Sequence, residues 1–139
     1  MDILQPLIAL AAWTMVMWLW MYTTRLPAMS AAKVDPDSLA RDPDASLDRT
    51  LPPHIQWKAH NYNHLHEAPT VFYAVALTLA LLEAGNGLAA LLGWAYVALR
   101  VVHSLVQATI NRVVIRFALF AASSLVLIAL VVLAAFAAF

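Results

Sequence analysis

Cysteine is absent from these 139 residues, and charged residues make up only 12% of them. Without a thiol, disulfides, thiolate metal sites and a cysteine nucleophile are all excluded. Glycine is scarce as well: there are three, and neither glycine nor proline occurs beyond Gly93. The C-terminal part of the chain therefore lacks the usual turn punctuation. Lysine plus arginine number 8, as do aspartate plus glutamate, so no bulk charge draws the chain to nucleic acid and none is expected as a partner.

What the chain has in excess is hydrocarbon. Hydrophobic residues make up 63% and mean hydropathy is +0.76, whereas a soluble domain is about half apolar and about a quarter charged. The excess lies in long runs, which predicts an all-α integral membrane protein with the lipid bilayer as its surroundings. Four spans are predicted in one domain over 1–139, at about 3–22, 55–82, 88–107 and 113–138, with a polar loop at about 23–54. The segment Ile3 to Tyr22 has no basic leader and no small-residue cleavage site, so it reads as a retained helix.

The second span is the odd one. Its apolar part, Ala68 to Leu82, is shorter than the roughly twenty residues a bilayer requires. It must borrow length from the polar stretch His60-Asn61-Tyr62-Asn63-His64-Leu65-His66-Glu67. Pro69 frees a carbonyl there and is expected to kink the helix. A single helix from Leu88 to Phe139 would be roughly 78 Å long against a bilayer core of about 30 Å. The chain must turn within Gln107–Arg116, the only polar cluster available, while Glu83–Gly87 makes a tight turn before it.

Basic residues set the orientation. Arg25, Lys33, Arg41, Arg49 and Lys58 flank the first loop, and Arg112 and Arg116 the last turn. In a four-span topology these fall on one side, which is cytoplasmic, leaving both termini on the non-cytoplasmic side. The loop's imperfect Asp-Pro-Asp repeat from Asp35 to Arg49 lacks the spacing and the glycine of a calcium loop. It reads as solvated chain.

Polar and ionisable side chains near lipid are costly and mark functional sites. At about 100° per residue, His60, Asn63, His64 and Glu67 share one arc of the second span. Arg100, His103, Gln107 and Asn111 form a second stripe on the third span. Counting about 1.5 Å per residue from the Glu83–Gly87 turn puts Glu67 near 24 Å, Arg100 near 18 Å and His103 near 22 Å. Glu67 and Arg100 are thus expected to pair, within a chain or across a subunit boundary, because either alone would be expensive to bury. His60, His64 and Glu67 also have a spacing that suits a divalent ion. Membrane di-iron hydroxylases gather many histidines from several such boxes, however, and with one box and five histidines no metal is expected. Stripes of this kind also arise where polar side chains merely hold helices together.

These motifs resemble the MAPEG family, membrane-associated proteins in eicosanoid and glutathione metabolism. The second-span signature appears as Lys58-Ala59-His60-Asn61-Tyr62-Asn63-His64-Leu65-His66-Glu67-Ala68-Pro69, and the third-span signature as Arg100-Val101-Val102-His103 with Asn111-Arg112 following. The match is to a divergent bacterial-type member. Lys58 replaces an Arg, Asn63 and Glu67 stand four apart where three is usual, and Gln107 occupies a region where a Tyr is common.

The resemblance implies a four-helix bundle assembled as a homotrimer, with glutathione as co-substrate and a lipophilic small molecule as its electrophile. It assigns glutathione binding to His60, Asn63, Glu67, Arg100 and Gln107. It assigns thiolate promotion to Arg112 and His103. The activity implied is that of a transferase or peroxidase. The alternative is a non-enzymatic binding or scaffold protein whose polar core is structural.

Overall fold

A computed structural model describes residues 2–139, which form helices and turns without a strand. In chain order these are α1 (Leu4–Ala31), α2 (Ser38–Arg41), α3 (Leu47–Thr50), α4 (Pro53–His64), α5 (Ala68–Leu81), α6 (Leu88–Thr109) and α7 (Val113–Ala138). Three of them, α1, α6 and α7, are long and apolar enough to cross a membrane. α1 continues nine residues past the expected end at Tyr22, carrying Pro27 inside its last turns.

The expected second span is two helices and not one. α4 stops at His64, Leu65–Glu67 turn, and α5 begins at Ala68 with Pro69 in its first turn. Proline explains the break: it has no N–H for the carbonyl four residues back, at Leu65, and its ring collides with that carbonyl. The kink expected at this position is a full interruption.

α1 inserts one stripe, Pro6, Leu10, Thr14, Met17 and Met21, among α4, α5 and α6. Thr14 fits this apolar stripe because its hydroxyl donates to the Leu10 carbonyl at 2.9 Å. In lipid, such packing gains close van der Waals contact and not expulsion of water. Small residues therefore matter where helices meet. A Cβ on Gly93 would lie 2.7 Å from Ile3 Cδ1 and 2.9 Å from Pro6 Cγ, and one on Gly85 would overlap Ile3 Cγ2. The same turn is clasped to the N-terminus by Ile3 N–H donating to the Gly85 carbonyl at 2.9 Å and Asp2 N–H to Asn86 Oδ1 at 3.0 Å. Phe72 of α5 stacks on Tyr96 of α6 with ring centroids 4.6 Å apart, both fully buried.

The turn between α6 and α7 falls at Ile110–Arg112, inside the polar cluster expected to make it. Asn111 supplies what glycine does elsewhere. It adopts φ 52°, a left-handed conformation that Asn tolerates better than most residues. Its Oδ1 accepts from Arg116 NH1 at 2.7 Å, tying the first turn of α7 to the bend.

Candidate functional site

The two polar stripes meet at the α4–α5 break. Arg100 is completely buried, and its one hydrogen bond runs from NH2 to the His64 carbonyl at 3.4 Å. Glu67, whose side chain is 66% exposed, instead accepts from His64 Nδ1 at 2.9 Å. The expected Glu67–Arg100 pair is therefore not formed within the chain, although the depth estimate brought the right segments level. The break explains the outcome. Arg100 sits at the C-terminal end of α4 and Glu67 at the N-terminal end of α5, and helix dipoles favour a cation and a carboxylate at those respective ends. Each charge has a helix terminus to answer it.

Around the break lies a cavity of about 250 Å³ lined by His64, His103, Val113, Arg116, Phe117 and Phe120. The His64 and His103 rings stand 4.9 Å apart, and Phe120 lies 6.0 Å from His64. One wall is thus cationic or titratable and the other apolar. His103 was expected here. Arg112 was expected as the cation, but it is the exposed residue preceding α7 and lies outside the cavity lining. Arg116, one helical turn further on, is the arginine that lines it. Helical spacing from His103 carries no information about the next helix, so nothing in the third-span stripe pointed to Arg116. Its place in the first turn of α7, four residues past Arg112, was the available signal.

The remaining expected site residues separate. His60 and Asn63 line a second concavity of about 300 Å³ with Arg25, Ser46, Asp48 and Gln56. The first loop makes this wall by folding α3 back onto α4. Asp48 Oδ1 accepts from Gln56 Nε2 at 2.7 Å and from His60 Nε2 at 2.8 Å, two side chains one turn apart. These bonds, that from Gln56 foremost, hold the Asp48 carboxyl below its usual range. Ser46 caps α3 by accepting from the Asp48 N–H at 3.2 Å. Upstream, Asp35 and Asp42 spend their carboxylates on the backbone N–H groups of Asp37 and Asp44, closing a small turn in each copy of the repeat.

Gln107 joins Arg100, Ser104 and Tyr96 on the buried face of α6, lining neither cavity. Across from them α4 turns inward Gln56, Lys58, Ala59 and Asn61. Asn61, fully buried, was not singled out, whereas Asn63 faces outward. Lys58 donates to the His54 carbonyl at 2.7 Å and lies 5.4 Å from the Trp20 ring, its cation supported by an aromatic face.

An all-helical chain with three membrane-length helices, and with ionisable side chains gathered beside an apolar wall at a helix break, defines a class: a helical membrane protein with a polar pocket between its helices. More narrowly, the family model described as the MAPEG family matches residues 3–136, nearly the whole chain, and the protein belongs to that family. It is thereby a membrane protein of the eicosanoid and glutathione metabolism group. No curated protein and no solved structure matches the chain.

Proposed function

We propose that the protein is a glutathione-dependent transferase or peroxidase acting on lipophilic electrophiles. In this reading α4 and α5 together make a fourth crossing, three copies associate, and both termini lie on the non-cytoplasmic side. The observation that carries it is the cavity where Arg116, His64 and His103 face Phe117, Phe120 and Val113. A cation favours a thiolate over a thiol, and an apolar wall is what a lipophilic electrophile requires beside it.

Glutathione's charged ends need more than this cavity offers, since two carboxylates and an amine call for cations and acceptors respectively. The second concavity has both: Arg25 with a buried, unpartnered Nε, and Gln56 with a buried, unpartnered Oε1. The tripeptide's polar groups fit that donor set. Arg116 takes the thiolate-stabilising role in this reading, His60 and Asn63 contact the peptide, and Arg100 and Gln107 support the site from behind.

A scaffold or binding protein is the second reading. It is favoured by the burial of Arg100, Ser104 and Gln107 away from either cavity. Thermal unfolding in detergent separates the two. A ligand held only by the folded state at about 100 times its Kd stabilises by about 2.7 kcal/mol, so reduced glutathione should raise Tm, and its S-methyl derivative should raise it less. An unchanged Tm at millimolar glutathione rules the enzyme reading out.

A further inference from the structure

We infer that His64 and Glu67 form a carboxylate–imidazole dyad in which His64 is the general base of the cavity and Glu67 its positioning residue. The inference rests on the thiol chemistry proposed above for its substrate, but the dyad itself is defined by geometry alone. A carboxylate only accepts hydrogen bonds, so the 2.9 Å contact from His64 Nδ1 to Glu67 Oε2 requires the proton to be on Nδ1. The neutral ring then carries its lone pair on Nε2. That atom is buried and has no partner, and its ring lines the cavity with Arg116. A base oriented through its second nitrogen by a carboxylate, with the first nitrogen unengaged, is the arrangement general-base catalysis needs.

The dyad sits at the α4–α5 break: His64 is the last residue of α4 and Glu67 the residue before α5, three positions on. The other charged or titratable groups about His64 are Arg100 and His103 from α6 and Arg116 from α7. Two of these are permanent cations. They oppose formation of an imidazolium, and Glu67 is the one carboxylate bonded to offset them.

The chemistry balances without any further reactant. The thiol S–H proton passes to His64 Nε2, giving an imidazolium whose Nδ1–H remains on Glu67, while Arg116 holds the thiolate. A sulfur lone pair forms the C–S bond to the electrophilic carbon. On substitution the electron pair departs with the halide and His64 then releases its proton to water; on addition the pair goes to the adjoining carbon of an activated alkene, which takes the proton back from His64.

The decisive experiment is long-range ¹H–¹⁵N NMR of histidine-labelled protein in micelles without glutathione, paired with kinetics. His64 should be the Nδ1–H tautomer in the wild type and in Glu67→Gln, whose amide oxygen still accepts, and a mixture in Glu67→Ala. An Nε2–H tautomer in the wild type overturns the dyad. With glutathione and an aryl halide, His64→Gln should lower turnover by about 10²-fold or more while the glutathione-induced rise in Tm persists. Glu67→Gln should move the acid limb of the pH–rate profile to lower pH, because the carboxylate that offsets the imidazolium charge is gone, though only modestly since that carboxylate is largely exposed and screened. Glu67→Asp should restore part of it. Unchanged profiles in folded Glu67→Gln overturn the assignment. If glutathione fails to raise the wild-type Tm while the Nδ1–H tautomer is found, the glutathione reading falls and the dyad stands as a base for another acidic ligand. Should His64→Gln not fold, the wild-type tautomer decides.

Discussion

α4 and α6 both carry polar side chains at helical spacing, and they use them in opposite ways. α6 is continuous for 22 residues and has α1, α4 and α7 packed around it. Its stripe stays together as far as Gln107: Tyr96, Arg100, His103, Ser104 and Gln107 are all buried, while Asn111 leaves the helix for the α6–α7 turn. α4 has 12 residues, ends at a proline-enforced break, and is overlaid by α3 of the loop. Its stripe is divided. His60 and Asn63 go to the loop-covered concavity and His64 to the cavity beside α7. A shared arc fixes which side chains point the same way, whereas the neighbours decide what that direction meets.

The largest effect expected from this contrast lies across the α6–α7 turn. Arg116→Ala removes the only arginine lining the cavity and should lower glutathione-dependent turnover by about 10²-fold or more, the usual scale for losing a group that stabilises developing negative charge. Arg112→Ala should leave turnover within about twofold, since exposed side chains away from the site rarely matter. Steady-state rates of both variants, with Tm to establish folding, test this. Equal losses would mean that the thiolate is held by the turn as a whole and not by the residue facing the cavity.

How much of this was legible beforehand follows from the same contrast. The three long helices, the turn within Gln107–Arg116 and the level meeting of Glu67 with Arg100 all rest on hydropathy and rise per residue, which are local quantities. The Glu67–Arg100 pair is absent within the chain because the helix expected to kink is instead interrupted. Once Pro69 interrupts it, two new helix ends appear beside the two charges, and each end competes for one of them. Asp48 could not be found at all. It lies 8 and 12 residues from its partners Gln56 and His60, in a loop whose course no periodicity describes. Asn61 and Asn63 stand about 200° apart around the helix, so choosing between them required knowing which side α1 and α6 occupy.

A smaller effect is expected where α1 and α6 touch. Gly93 has Ile3 Cδ1 and Pro6 Cγ within 3 Å of where a Cβ would stand. The α6 stripe holds together partly because α1 comes this close. Gly93→Ala should cost about 1–3 kcal/mol, the range for overpacking a well-filled contact, read as lower Tm in detergent. Leu91→Ala on the exposed side of the same helix is the control, expected to stay within about 0.5 kcal/mol. A Gly93→Ala loss no larger than the control's would show that α1 is loosely seated, and the burial of the α6 stripe would then need another cause.

The weakest interaction is also the one that most sharpens the contrast, because α3 is what claims the outer face of α4. Asp48 holds it there through Gln56 and His60, in a solvent-facing setting where such bonds are screened. Its carboxyl is held below the ordinary 3.8. A lowered folded value means that the contribution is complete above the unfolded value and fades as pH falls through the folded one. Docking should therefore be insensitive to Asp48 titration from pH 8 to 5 and should loosen below about pH 4. The chain has no cysteine, so a fluorophore on Asp44→Cys reports on α3 without competing labels. Acidification should change its anisotropy in the otherwise native chain. In an added Asp48→Asn background the anisotropy should already be low at pH 7 and respond little to acid. A docked, acid-insensitive loop in that variant would assign the fold-back to Leu47 and Ala45 packing on α4, and His60 and Asn63 would then be covered by apolar contact and not by the carboxylate.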